Sequence, residues 1–122
     1  MATLTTAALE RFTDYLDPGA GNVALEADWY MAWGTSTQAE SVGETALIAE
    51  AAETRVTTTA TQATATQNQH VGSITATGSK TIAEIGLLTA STSGTLIIRH
   101  VFTGVPVVAD DVIQGTFTIT HS

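Results

Sequence analysis

Alternation of apolar and polar residues with a period of two is the main pattern in this chain, and it predicts β-strands over much of its length. Three runs rich in Ile, Leu, Val and Thr follow one another: Val71 to Thr77, Thr81 to Thr89 and Thr95 to Phe102. Such residues suit a pleated, half-buried surface, and the Gly and Ser residues at the run boundaries are typical of hairpin turns. We therefore expect these three strands to form an antiparallel meander.

The C-terminal part predicts one more strand. Thr103 to Pro106 is expected to interrupt the ladder of the meander. Beyond it, Ile113, Phe117 and Ile119 fall on one side of an extended segment. The residues on its other side are all polar: Gln114, Thr116, Thr118 and Thr120. This pattern predicts a strand with one buried face and one solvated face.

A helical pattern occurs near the N-terminus. Apolar residues recur at three- and four-residue spacing between Thr6 and Leu16, and Thr5 or Thr6 can cap the start of the helix. Asp17 to Asn22 ends it, because this segment contains a proline and two glycines. We expect the helix to cover a face or an open end of its own domain. Docking on a neighbouring subunit is the alternative.

The distribution of these elements predicts a mainly β fold. The expected architecture is an antiparallel β-sandwich or jelly-roll-like barrel with one short N-terminal helix. Residues 1–22 are expected to form the N-terminal helix and linker, and residues 23–122 the β-sandwich domain. A chain of 122 residues fits one hydrophobic core of this kind.

The segment from Gln38 to Thr54 has no clear preference for helix or strand. It is expected to lie across the domain surface or to reach a neighbouring subunit. In either case Arg55 would pair with one of the nearby carboxylates, which belong to Glu44, Glu50 and Glu53. An exposed pair of this kind orients a segment more than it stabilises it.

The following segment, Arg55 to Thr66, alternates too weakly to set its own register, since small and polar residues occupy both faces. It is a strand or arm, and Gln67 to Gln69 is expected as its turn. The segment is our favoured candidate for exchange with another subunit. The alternative is a long hairpin limb that pairs only inside its own domain.

Charge and composition narrow the classes of function. Twelve Asp and Glu stand against four Lys and Arg, which gives a formal net charge of -8. Such a chain repels phosphates and anionic lipid heads, so no nucleic-acid or membrane partner is expected. Charged residues make up only 13% of the chain, and Thr is abundant. A surface of this kind loses its water easily when another protein covers it, so the composition favours the interpretation that the chain is a subunit of an assembly. The alternative is an ordinary sheet with one face in water.

Candidate metal ligands are few. His70, His100 and His121 do not have the spacing of a zinc site. Asp110 and Asp111 precede the last predicted strand, and adjacent acids at such a place more often serve a turn than a calcium ion. The chain has no cysteine and hence no thiolate site. We expect no metal and no cofactor.

Candidate catalytic residues are also few. Glu84 and Arg99 lie on successive predicted strands, and we expect a structural cross-strand ion pair rather than a catalytic site. Trp29 and Trp33 would share one face of a strand, where core packing is more common than a platform for sugar stacking. No nucleophile with its base can be identified. The sequence therefore predicts no catalytic residue and no enzyme.

Five short patterns allow a comparison with a known class of protein. They are, in chain order, Trp33–Thr37, Leu47–Arg55, Thr81–Leu87, Gly94–Arg99 and Val108–Ile113. Through them, the part of the chain from about Trp29 to the end resembles small virion structural proteins of tailed bacteriophages. These patterns describe strands and turns and contain no catalytic motif.

The resemblance implies a structural role in a phage particle. Proteins of this kind serve as capsid decoration (cement) subunits or as tail-fibre and baseplate components. For this chain it implies a homotrimeric decoration protein that binds the major capsid protein on the outer surface of the shell, in a virion assembled in the host cytoplasm. The alternative is a tail-fibre, baseplate or host-binding protein, with sugar affinity through Trp29 and Trp33.

Overall fold

Two antiparallel β-sheets make up most of the computed structural model, which describes residues 3–9 and 29–120. In chain order the strands are β1 (Thr3–Leu4), β2 (Tyr30–Gly34), β3 (Val56–Thr57), β4 (Thr59–Thr64), β5 (Gln67–Thr75), β6 (Lys80–Leu88), β7 (Leu96–Val107) and β8 (Val112–Thr120). The large sheet has the order β1-β7-β6-β2-β3, and the small sheet has the order β4-β5-β8. The predicted mainly β fold is confirmed. Within the described residues the sheets form a sandwich and not a closed barrel.

The hydrophobic core lies between the two sheets. Met31 and Trp33 of β2 are buried in one cluster with Ile74 of β5 and with Phe117 and Ile119 of β8. Alternate residues of β8 are buried and exposed along the strand, as the period-two pattern predicts. The small sheet therefore has one face on the core and one face directed outward.

Only part of the predicted meander is present. Strands β6 and β7 pair antiparallel, as expected. The prediction that β5 pairs with β6 is wrong, because β5 pairs with β4 and β8 in the small sheet. Residues 76–79 carry the chain from one sheet to the other, and Ala76 is held by backbone hydrogen bonds with Asp110 and Asp111. The prediction failed because Gly and Ser, here Gly78 and Ser79, occur both in hairpin turns and in connections that cross from one sheet to the other.

Two predicted boundaries are also wrong. Thr103 to Pro106 does not interrupt the ladder, since β7 continues to Val107 and Pro106 lies opposite Thr81. Among the described residues, β1 pairs with β7 only at Ile98 and Arg99. The end of β7 that contains Pro106 is therefore a sheet edge in this part of the chain, and a missing backbone N–H is tolerated there.

The turn between β4 and β5 lies at residues 65–66, and Gln67 to Gln69 belongs to β5. Strand β4 pairs with β5 of its own chain, with a bulge between Gln62 and Thr64. The arrangement within one chain is therefore the hairpin limb that was the alternative to strand exchange.

The described N-terminal residues pack on their own domain. Helical structure is present at residues 6–9, and the Thr5 hydroxyl accepts a hydrogen bond from the Ala8 N–H at 3.1 Å. Thr5 is thus the N-cap, one of the two residues expected in this role. Its N–H donates to the Ile97 carbonyl at 3.0 Å, and Ala8 is buried in the core. Residues 10–16 of the predicted helix lie outside the described residues.

Candidate interaction surface

The predicted ion pair between Glu84 and Arg99 is present at the centre of the large sheet. Arg99 Nε donates to Glu84 Oε2 at 2.6 Å, and the two side chains are 1% and 0% exposed. Adjacent strands place them on the same face, because Gly86 is the partner of Arg99 and Glu84 precedes it by two residues. A buried pair needs further hydrogen bonds to offset the loss of hydration.

Those hydrogen bonds come from the segment 38–49, which has little regular structure. Glu84 accepts from the Ala49 N–H at 2.8 Å and from the Ile48 N–H at 3.3 Å. Arg99 Nη1 donates to Glu44 Oε2 at 3.0 Å, and Arg99 Nη2 donates to the Gln38 carbonyl at 2.9 Å. The pair therefore fastens this segment across the large sheet, so the first of the two expected courses for it is confirmed.

Gly34 allows the segment to approach closely. A Cβ at this position would lie 2.4 Å from both the Ala49 carbonyl oxygen and Glu84 Oε1. The Thr35 N–H donates to the same Ala49 carbonyl at 3.1 Å. Position 34, at the end of β2, thus has no space for a side chain.

Glu53 is the centre of a second buried polar group, which sequence reasoning missed. It accepts hydrogen bonds from Trp33 Nε1 at 3.1 Å and from the Thr77 N–H at 2.9 Å, and it forms an ion pair with Lys80. Burial alone would raise the pKa of this carboxyl, but the hydrogen bonds from Lys80, Thr77 and Trp33 hold the pKa well below its usual range. The group ties residues 53 and 77 to the core tryptophan.

Arg55 pairs with Glu50, one of its three expected partners. Arg55 Nε and Nη2 donate to the two carboxylate oxygens at 2.8 and 2.9 Å. Its Nη1 also donates to the carbonyls of Ala90 and Ser93, in the turn between β6 and β7. All three cationic side chains in the described residues are therefore engaged with carboxylates.

The described histidines, His70 of β5 and His100 of β7, lie in different sheets. His70 is buried and stacks on Trp29 at a centroid distance of 4.7 Å, and burial lowers its pKa. His100 lies 3.4 Å from Glu40 and stacks on Phe102. His121 lies outside the described residues. Within residues 3–9 and 29–120, no three side chains of His, Asp or Glu form a group suited to a metal ion.

The acidic pair before β8 belongs to its turn. Asp111 Oδ2 accepts from the Val108 N–H at 2.9 Å, and Asp110 has a φ of 74°. Short polar side chains tolerate this left-handed conformation better than others. The interpretation of these acids as turn residues is confirmed.

The two tryptophans do not form a sugar-stacking platform. Trp33 is 1% exposed and lies in the core, as expected. Trp29 is half-buried and has its ring against His70. Neither ring presents an open face beside the other.

The outward face of the small sheet is a surface without charged residues. Strands β4, β5 and β8 contain no Asp, Glu, Lys or Arg, although the chain has a net charge of -8. The charged residues in the described part lie instead on the large sheet or on loops. The outward positions, all exposed or half-buried, are Thr59, Thr61, Thr64, Gln67, Gln69, Val71, Ser73, Thr75, Val112, Gln114, Thr116, Thr118 and Thr120. We call this set the neutral face.

A cavity lies beside the free edge of β8. Its volume is about 200 Å³, and it opens between the two sheets. The lining residues are Ile85, Ile98, His100, Thr116, Phe117 and Thr118. The small sheet thus ends before it covers this part of the large sheet.

The chain matches no protein-family model and no curated protein sequence. In the part of the chain that the structure describes, no helix has the length and apolar character required to cross a bilayer. The neutral face and the edges of the small sheet are therefore the features from which a function is argued.

Sequence reasoning predicted the threonine-rich character of this surface but not its extent. The signal was available, because residues 56–79 contain no Asp, Glu, Lys or Arg at all. The position of β8 beside β5 could not be read from the sequence, and it is this neighbour that widens the face to three strands.

Proposed function

We propose that this protein is a bacteriophage capsid decoration (cement) protein that binds the outside of the capsid lattice and stabilises the shell. The observation that carries the proposal is the neutral face, whose residues are exposed or half-buried and carry no charge in an acidic chain. Such a surface loses little hydration when another protein covers it, whether that protein is a capsid subunit or a further copy of this chain in a decoration oligomer. The resemblance to small virion structural proteins of tailed phages agrees with this role.

The proposed action is mechanical. Contacts with several major capsid subunits at once raise the avidity without a catalytic residue, since each further contact is formed at a high effective concentration. A homotrimer would supply three such contacts. The ion pairs of Arg99 with Glu84 and Glu44 support this action, because they fix the irregular segment 38–49 to the large sheet.

The test is the location and copy number of the protein in purified phage particles. Immunogold labelling along the capsid, with a copy number proportional to that of the major capsid protein, is the expected result. Labelling of tails at a few copies per particle would instead favour the tail-fibre or baseplate role. Absence from particles that contain the major capsid protein would overturn the proposal.

A binding assay with capsids that lack the protein refines the test. Addition of purified protein is expected to raise the temperature at which these capsids lose their DNA. Ser73→Glu places a charge in the middle of the neutral face, and Thr37→Glu places one on an exposed loop outside it. Only the first substitution is expected to weaken binding or the assembly on which binding depends.

A further inference from the structure

Both edges of the small sheet are open in the described chain. Strand β8 has nine residues and pairs only with β5, and β4 likewise has β5 as its single neighbour. Neither strand contains a proline or a charged residue, which are the usual protection of a free edge. The large sheet differs, since its edge strands β1 and β3 have two residues each. Two edges without a charge or a proline in one sheet, one of them nine residues long, suggest that they are covered in an assembly.

The cavity beside β8 indicates where a further strand would lie. Its apolar lining comes from Ile85 and Ile98 of the large sheet and from Phe117 of β8. A strand added to the free edge of β8 would continue the small sheet over this space. Within residues 3–9 and 29–120, the small sheet therefore has no strand that covers this side of the large sheet.

We propose that three copies of this chain close their small sheets into one ring of nine strands, in which β8 of each copy pairs with β4 of the next. The two edges differ in sequence, so the contact is head-to-tail and closes around a three-fold axis. Strands β4 and β8 are both antiparallel to β5, and the contact between copies is hence parallel. Closure leaves none of the six small-sheet edges exposed.

The neutral face fits the interior of this ring. The large sheet packs on the other face of the small sheet, and it therefore lies outside the ring in each copy. A charge on the neutral face would be repeated three times around the axis in a space with little water, at a high cost. This face has only Thr, Gln, Ser and Val, whose polar groups can hydrogen-bond to one another, as Gln69 Nε2 does with the Thr118 hydroxyl at 3.5 Å.

The number of copies follows from the size of the face. A closed sheet of about eight strands has an interior that side chains just fill. Two copies would give a narrower ring, and four would leave a channel. The face measures about 14 Å by about 30 Å, on the order of 400 Å² per copy. Three copies would together enclose on the order of 1,200 Å² of this face.

This arrangement deepens the proposed function, because a defined trimer supplies the several capsid contacts that multivalent binding needs. Its role on the capsid rests on the proposed function. The two ideas remain separable by experiment. The ring is tested on the purified protein alone, and capsid binding is tested on particles.

Cysteine pairs give the sharpest test, because the chain has no cysteine of its own. Thr61 of β4 and Thr118 of β8 both belong to the neutral face and both have Gln69 as their register partner on β5. Within one copy they are two strand spacings apart, about 10 Å, too far for a disulfide. The double variants T61C/Q114C, T61C/T116C and T61C/T118C together sample three registers of the contact between copies.

In the ring, at least one double variant is expected to give a covalent trimer on a non-reducing gel after mild oxidation. The single variants T61C and T118C are expected to stay uncrosslinked, since each then has no partner cysteine. A covalent dimer from T61C alone would mean that β4 pairs with β4, and one from T118C alone would mean that β8 pairs with β8. Either result would overturn the ring. The pair T81C/T118C, with Thr81 exposed on the large sheet, is the control.

The mass in solution is the second measurement. The unmodified protein is expected to have the mass of three chains, and Ser73→Glu is expected to shift it to the mass of one, with an unchanged circular dichroism spectrum. Thr37→Glu is expected to leave the trimer intact. A monomer at all concentrations, with capsid binding retained, would overturn the ring and leave the proposed function standing. A crosslinked trimer that is absent from capsids would support the ring and overturn the proposed function.

Discussion

Arg99 donates to Glu84 across adjacent strands at 2.6 Å, and neither side chain is accessible to solvent. Removal of one partner leaves the other as a buried charge without its counter-ion, and such changes cost about 3–5 kcal/mol. We expect Arg99→Met to lower the free energy of unfolding by this amount. Glu84→Leu combined with Arg99→Met is expected to cost less than the sum of the single changes, because the pair is then removed as a unit.

Urea unfolding of the wild type, the two single variants and the double variant measures this coupling. If Arg99→Met changed the free energy of unfolding by less than about 1 kcal/mol, the pair would not have the role assigned to it.

Gly34 is expected to tolerate no side chain. The Cβ of Gly34→Ala would lie 2.4 Å from the Ala49 carbonyl and from Glu84 Oε1, so the segment fastened by Arg99 must move. We expect a loss of about 1–3 kcal/mol. Gly43→Ala is the matched control, since no atom lies within 4 Å of the added Cβ, and its effect is expected to stay within about 0.5 kcal/mol. Thermal unfolding of both variants makes the comparison, and equal melting temperatures would contradict the close approach.

Glu53 should make stability fall in acid. Its pKa in the folded protein lies below that of the unfolded chain, which is about 4.3 for a glutamate. Its contribution is therefore fully present above that value and is lost as the pH falls through and below it.

Lys80→Met removes the cationic partner of Glu53 and is expected to reduce this acid-dependent loss. Arg55→Met is the matched control, since it removes a cation that pairs with Glu50 and leaves the partners of Glu53 in place. Urea unfolding at pH 7, 4 and 3 compares the two variants. An unchanged pH profile for Lys80→Met would show that the pair with Glu53 contributes no stability.

His70 acts in a different pH window. Burial against Trp29 lowers the pKa of His70. In the unfolded chain this histidine takes up a proton near pH 6.5, whereas in the folded protein it is still neutral at that pH. Stability from this group is complete above about pH 6.5 and declines as the pH falls toward 5. His70→Gln should flatten the profile between pH 7 and 5, in a comparison of melting temperatures in one buffer series.

The parts of the fold that depend on local patterns could be predicted from the sequence. The faces of β8 followed from alternation, the hairpin of β6 and β7 from its Ser and Gly turn, and the cap from Thr5 before an apolar repeat. The pairing of Glu84 with Arg99 followed from the same reasoning, since both lie on strands predicted to be neighbours. Within this polar network, the ion pair was predicted, and the backbone groups of residues 38–49 that bind to it were not.

The parts that depend on packing could not be predicted. Strand β5 is buried on one face only, and the sequence does not state whether that face packs beside β6 in the same sheet or against β6 from the opposite sheet. The extension of β7 through Pro106 depends on which strands lie beside it, and none of the described strands pairs with Pro106 on its outer side; this is a property of the whole sheet. The partners of Glu53 lie 20, 24 and 27 residues away, beyond any local signal.

The burial of the cations has a consequence for proteolysis. Trypsin cuts after Lys and Arg, and the side chains of Arg55, Lys80 and Arg99 are only 8%, 18% and 1% exposed, each held by a carboxylate. Between residues 29 and 120 the native protein therefore offers this enzyme no cleavage site until the chain opens. The rate of tryptic cleavage in this region then measures how often the sandwich opens, which makes digestion a direct gauge of the domain's stability.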